Sequence, residues 1–487
     1  VVTPYGTYRG GYYPIKYDGE LGGHRRMADE ANEIFTQMTA GSYASATTRQ
    51  GHLKARLGAG SQSLSLDIGV MGKHVMEVIH DLHFNEPVVN AWRLFNNNDV
   101  EAAFLKADLK EAYEALRLWV QDVAAGQIMA DNSFARTVNK LRGGFTVSKL
   151  GFNAFTVVQQ PLGLGQSAEM VGAKNLSAVM LEYGGRRGEM VKEVLDRSNI
   201  MWERRNTFNR DVMDVVATGN IAGAKAGRVK TAIDDYIVPA GLYGLVAVQF
   251  YAVDVPTWIA AYRKGLNQFD GNEKRAVHYA DMAISASQAS GLFLDRSAIE
   301  RGTLSASIRQ NPLVLLMTTL GSYFFAKQNR VIEATQGFRA RPLSVRSVVK
   351  YAYSLALLLS LEAAVMAAVK LALQESDDDD ESWLWNVASG SIENYLGGVP
   401  LVRDMVGGAK GFDTGTYAAI GNSFIRPFVR GSDGRIDRPF VKSVINLTGT
   451  LTSLPSTQTN RILDSLVRYS QEDEFSMMEM IFGRSRK

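Results

Sequence analysis

The stretch NDVEAAFLKADLKEAYEALRLWVQDV (Asn98–Val123) contains neither glycine nor proline. Its apolar residues Leu105, Leu109, Ala112, Leu116, Trp119 and Val123 recur at helical spacing, so one face of a 3.6-residue helix is apolar. Asn98-Asp99-Val100-Glu101 supplies a start signal, a capping box in which the Asn side chain and the Glu carboxylate take up amide donors that the first turn leaves unpaired. The same period runs upstream through Met71, Val75, Val78, Ile79 and Leu82, with Pro87 expected to close that helix or start another. Downstream, residues 185–216 alternate in sign (Arg186, Arg187, Glu189, Lys192, Glu193, Asp196, Arg197, Glu203, Arg204, Arg205), which predicts a long solvated helix with i,i+4 pairs. A further helix is expected near Ala28–Met38. Strand signals are almost absent, and the fold class this predicts is all-α, an elongated multi-helix assembly.

The chain has 487 residues, no cysteine, 45 glycines and only 12 prolines, with 46% hydrophobic residues. That length holds several domains and a sizeable core. Without thiols there is no disulfide framework, no cysteine-based zinc site and no cysteine nucleophile. A formal charge of +3, from 53 basic and 50 acidic side chains, is too balanced for a protein living mainly on nucleic acid. Residue 1 is a valine, no signal segment follows, and a Gly/Tyr-rich lead-in begins abruptly, so the chain reads as part of a longer polypeptide.

Four stretches are poor in charge: Phe152–Gly165, Ile237–Val253 (continuing past Asp254 to Tyr262), Asn311–Ala326 and Tyr351–Val369, the last carrying only Glu362. A bilayer-crossing helix needs about 20 mainly apolar residues, which the second and fourth reach. Two alternatives stand for these two stretches, membrane contact or the interior of a large helical protein. Lys327, Arg330, Arg339, Arg341, Arg346 and Lys350 lie between the third and fourth stretches, and an acidic run, Glu375 to Glu381, follows the fourth. The asymmetry orients a spanning helix with Tyr351 on the cytoplasmic side. Glu362 and Lys370 lie in that helix; Lys370 is near enough to its end to snorkel, whereas Glu362 is expected to face a lumen or pair with a neighbouring helix. Trp383 and Trp385, just beyond the acidic run, suit an interfacial belt.

His74-x-x-Glu77-x-x-His80-x-x-His83 resembles a metal signature, but each i,i+3 step rotates about 60° off the last, so His74 and His83 diverge. Glu77, His80 and Asp81 share a face and are weak metal candidates; a hydrogen-bonded helix–helix contact is the expected role of His80. No nucleophile elbow, phosphate loop or dinucleotide fingerprint occurs in a fitting context. No catalytic residue and no cofactor are predicted, and the chain is read as a non-enzyme.

Three stretches together, His74–Phe95, Asp254–Gly291 and Gly397–Gly408, resemble the large polyvalent-protein-associated domains of phage and mobile-element polypeptides. The middle one carries the most specific residues: Pro256-Thr257-Trp258, Tyr262-Arg263, Tyr279-Ala280-Asp281 and Gln288-Ala289-Ser290-Gly291. The resemblance implies the C-terminal part of an internal virion (ejection) protein of short-tailed phages, held inside the virion and released into the host envelope. Implied partners are further copies of the chain, other ejection or core proteins, the portal or tail, the host inner membrane and genome DNA. The alternatives are a soluble helical effector or interaction domain of a mobile-element protein, and an enzyme with a site around His80. The regions expected are 1–60, an irregular lead-in; 61–236, charged helices; 237–374, apolar helices; and 375–487, a Gly-hinged helical region.

Overall fold

The computed structural model of the chain describes residues 69–125, 133–207, 238–289, 295–304, 310–319, 321–365, 422–429, 437–452 and 454–472, with a few isolated positions besides. The fold is all-α. The first helices are α1 (Gly69–Phe95), α2 (Asn98–Lys106), α3 (Lys110–Ala125) and α4 (Ser133–Leu150). They are followed by α5 (Ala154–Gln159), α6 (Leu164–Val171), α7 (Ala173–Arg197) and α8 (Asn199–Thr207). Next come α9 (Val238–Val248), α10 (Val255–Gln268) and α11 (Glu273–Ser287). The remainder are α12 (Pro312–Met317), α13 (Ser322–Arg339), α14 (Val345–Leu355), α15 (Arg438–Thr452) and α16 (Ser456–Glu472). Among the described residues the strands are two-residue ladders, Val2–Thr3 with Gly6–Thr7 and Lys16–Tyr17 with Leu64–Ser65. The helix expected at Ala28–Met38 lies outside the described residues.

Contacts group the chain into two units, residues 1–139 with 298–314, and residues 140–297 with 315–487. In the first unit, α1 runs straight through Pro87, which neither closes nor starts a helix. The face expected to be buried is outward: Val75, Ile79 and Leu82 are exposed, and Asp81, Val88 and Trp92 are buried instead. The Asn98–Val123 stretch, by contrast, is two helices. The cap is Asn97, one residue earlier than predicted, its side chain accepting from the Asp99 amide at 2.8 Å. The backbone then breaks at Asp108, whose φ is +56°. The break changes the phase of the second helix, so Leu105, Leu109 and Leu116 are exposed while Tyr113, Val120 and Val123 are buried. A buried ion pair, Arg301 to Asp122 at 3.0 Å, ties α3 to the short turn Ile299–Arg301.

The second unit has a core that draws on both sides of position 237, where the sequence reading placed a change of region. Val179, Tyr183, Met190 and Val194 of α7 join Trp258, Ile259 and Ala261 of α10 and Ala276, Ala280 and Ile284 of α11. The small residues of α11 let it approach α10 closely: a Cβ on Gly265 would stand 3.0 Å from the Ala276 Cα. The sign-alternating segment is not one long solvated helix. It ends at Ser198, whose backbone is extended, and restarts as α8. One side of α7 lies in the core, while its outer side carries the expected i,i+4 pairs, Arg186 with Glu182 and Arg197 with Glu193.

Three of the four charge-poor stretches resolve into core or broken helices. Phe152–Gly165 is interrupted at Gln160–Gly163, a 3-10 turn containing Pro161. Asn311–Ala326 is divided between α12 and α13. The second stretch is continuous from α9 through a π-turn, Gln249–Asp254, into α10. Pro256 accounts for the wider turn, because it has no amide to give to Ala252 and its ring would crowd that carbonyl in a regular helix. Of the most apolar span within Ala240–Gln268, 72% is buried, so this stretch is core.

Candidate functional site

The Asp254–Gly291 residues singled out by the sequence form a packed polar frame. Arg204 of α8, 5% exposed, donates through Nε to Asp254 Oδ2 at 3.1 Å. Its remaining nitrogens reach the carbonyls of Ala289 at 2.7 Å and Gln288 at 3.3 Å. Gln249, on the same π-turn as Asp254, donates to Asp254 at 2.9 Å and to Gln288 Oε1 at 3.0 Å. Gln288 Nε2 donates to Ser167 Oγ at 2.8 Å, and the Ser167 hydroxyl lies 2.7 Å from Thr257, which donates to the Val253 carbonyl. Burial raises the Asp254 carboxyl above the usual range, opposed by Arg204 and Gln249. Beside this network, Trp258 Nε1 and the Ser198 hydroxyl both donate to Asp281 Oδ1, at 2.8 and 2.6 Å. Tyr262 stacks on Trp258 at 5.1 Å, and Arg263 pairs with Glu182 on the surface. Tyr279 packs against Gly265, and Pro256 is buried at the start of α10. These polar atoms are taken up by one another, so the arrangement fixes helix positions. Gly291 lies outside the described residues.

The His80 ring nitrogen Nε2 donates to the Val123 carbonyl at 2.8 Å, and the ring stacks on Phe84, so His80 makes the expected helix–helix contact. Asp81 is buried and accepts from Asn85 at 3.1 Å. The side chain of Glu77 lies outside the described residues. Among the described residues no three His, Asp or Glu side chains gather as a metal would require.

The fourth apolar stretch differs from the other three. Ser344 caps α14 with a capping box, and the helix passes through a second π-turn, Ala356–Ser360, to Val365. Only 17% of its most apolar span is buried. Its outward side is apolar: Val345 is 81% exposed, Val349 61% and Tyr353 48%. Its inward side mixes apolar and polar groups, with Leu358 and Ala363 buried beside Ser354. Ser354 donates to Glu169 of α6 at 3.1 Å, and Glu362, two turns further along, pairs with Lys327 of α13. Tyr323 donates to the same Glu362 oxygen at 3.1 Å, with Lys327 over its ring at 4.7 Å. Arg330 pairs with Glu169 and Glu333. Lys327 is 1% exposed, and burial lowers its ammonium below the usual lysine range, opposed by Glu362. Burial, reinforced by Glu362, pushes the Tyr323 phenol well above its own.

The stretch from Lys327 to Lys350 is therefore no simple basic loop. Its first two cations are buried on α13, held by Glu169 of α6 and by Glu362 beyond the second π-turn. Glu362 takes the second of its two expected arrangements, pairing with a neighbouring helix. Lys370, Trp383 and Trp385 lie outside the described residues. Sequence reasoning missed Glu169, Ser354, Gln249 and the Arg204–Asp254 pair; the available signal was a lone carboxylate, Asp254 or Glu362, within an apolar helix.

Gly165 of α6 seats this helix. A Cβ there would stand 2.8 Å from the Leu357 carbonyl and 3.3 Å from the Leu361 side chain. Gly165→Val is expected to destabilise the second unit by about 1–3 kcal/mol through overpacking, read as a lower urea midpoint in circular dichroism. An unchanged midpoint would show that the helix is not held at this point.

No family model, no curated protein and no solved structure matches this chain.

Proposed function

We propose that this chain is an internal virion (ejection) protein of a short-tailed phage that self-assembles with other ejection or core proteins and enters the host inner membrane to help build an envelope-spanning channel for genome delivery. The observation that carries the membrane part is the exposed apolar stripe of α14. In a water-soluble helix the apolar side faces the core. Here an apolar stripe, Val345, Val349 and Tyr353, faces out although Leu358 and Ala363 are buried, and beyond the π-turn Glu362 pairs with Lys327, as charged residues within membrane helices are paired. The phage part rests on the sequence resemblance, whose most specific residues, Thr257, Trp258, Asp281 and Gln288, act together in one frame. The soluble-effector alternative has an observation of its own, since the other long apolar helix, Ala240–Gln268, is mostly interior.

The purified chain added to planar bilayers is expected to give stepwise ionic currents, and Val349→Asp, on the exposed side of α14, to abolish them. Silence of the wild-type chain in both neutral and anionic bilayers would sink the channel reading and leave the effector reading standing.

A further inference from the structure

We infer that the outward side of α14 is a docking surface for anionic phospholipid, on which the helix lies parallel to the bilayer plane while staying attached to its own unit. The inference rests on the membrane reading above but not on the channel.

Charge is the first ground. Between Glu333 and Glu362 the sequence has four cations, Arg339, Arg341, Arg346 and Lys350, and no carboxylate. All four are exposed, and none forms an ion pair with a described residue. Such a cluster, with no ion pair to a described residue, fits phosphate headgroups, which guanidinium groups bind through paired hydrogen bonds.

The second ground is where the cations stand. Arg346 and Lys350, one turn apart, line a shallow depression together with Val345, Val349 and Tyr353. Arg346 and Lys350 flank the first turns of the apolar stripe, and cations flanking an apolar stripe suit headgroups at the bilayer interface. Leu343, 84% exposed just before the Ser344 cap, extends the stripe.

The third ground is attachment. Crossing a bilayer alone would pull α14 from Glu169 and Lys327 and leave a buried lysine without its carboxylate. Lying flat costs neither contact, because the stripe and the polar side are on opposite sides of the helix.

Flotation of the full chain with vesicles tests this. Binding is expected to vesicles of equal parts phosphatidylglycerol and phosphatidylcholine, and to be weaker by about tenfold or more on phosphatidylcholine alone. Arg346→Glu with Lys350→Glu is expected to weaken binding to the anionic vesicles by a similar factor, with the helical circular dichroism unchanged. Because the chain has no cysteine, a dye on Val349→Cys reports depth, and quenchers near the headgroups should dim it more than quenchers near the bilayer centre.

Equal binding to both vesicle types, or indifference to the charge reversal, would overturn the inference. Quenching strongest at the bilayer centre would overturn the parallel arrangement. A concentration-dependent dimer that Val349→Asp breaks, with no flotation, would assign the stripe to a second copy of the chain. Docking without ionic current would remove the channel reading alone; current with no preference for anionic lipid would remove this inference alone.

Discussion

Glu362→Leu is expected to lower the unfolding free energy of the second unit by about 3 kcal/mol, and Lys327→Met in the same chain to recover most of the loss. Breaking a buried ion pair from one side costs about 3–5 kcal/mol, chiefly because it strands the other charge. The lower end applies because the Glu362 side chain is 20% exposed, against 2% for Lys327. The single substitution makes the helix more apolar, so a helix that merely sat in lipid would tolerate it; destabilisation identifies the lysine as the injured party. The pH dependence has a definite sign. The folded-state pKa of Lys327 is lowered, so above it and below the ordinary lysine value the unfolded chain binds more protons. Stability contributed by this group therefore rises with pH across that window, and removing Glu362 widens the window downward. Urea titrations from neutral to alkaline pH should show Glu362→Leu regaining stability faster than wild type. Parallel curves would mean that Lys327 is not the group left uncompensated.

Arg204→Met is expected to cost about 3–5 kcal/mol, since Asp254 is fully buried and the arginine is its cationic partner. Arg204→Lys should recover little of it. An ammonium keeps the charge but cannot address Asp254 and the carbonyls of Gln288 and Ala289 from one planar fork. A lysine variant with a wild-type urea midpoint would show that charge alone holds this frame.

The helical class was legible because period and composition suffice for it, and so was the contact made by His80. What escaped was phase and pairing. Leu105, Leu109 and Leu116 fit an apolar face on paper, but the turn at Asp108 rotates the later residues away from the earlier ones. Likewise, Ile237–Tyr262 and Tyr351–Val369 look alike as strings of apolar residues. Burial separates them only after folding, when α7 and α11 cover α10 and nothing among the described residues covers the outer side of α14. Lys327 and Arg330 counted only among the basic residues flanking an apolar stretch, because Glu362 and Glu169, which hold them, are 35 and 161 residues away. Spacing along a chain carries no trace of such partners. In the candidate site, Glu362 was legible as a charge in need of company, though its companion was not.

The π-turn at Ala356–Ser360 lets this helix lose one residue there and keep its alignment. Each helical residue advances the side chain by about 100°, so Glu362, eight residues after Ser354, would stand roughly 80° away from it in an unbroken α-helix. The wide turn absorbs one residue, and the two polar groups come back into line on the side facing α6 and α13. A single-codon deletion within those five residues would restore regular winding and still leave the carboxylate about 20° from Ser354, because seven regular residues turn by about 700°, whereas one more residue inserted there would swing it by about 100°. For this helix, the wide turn is the place where a residue can be spared.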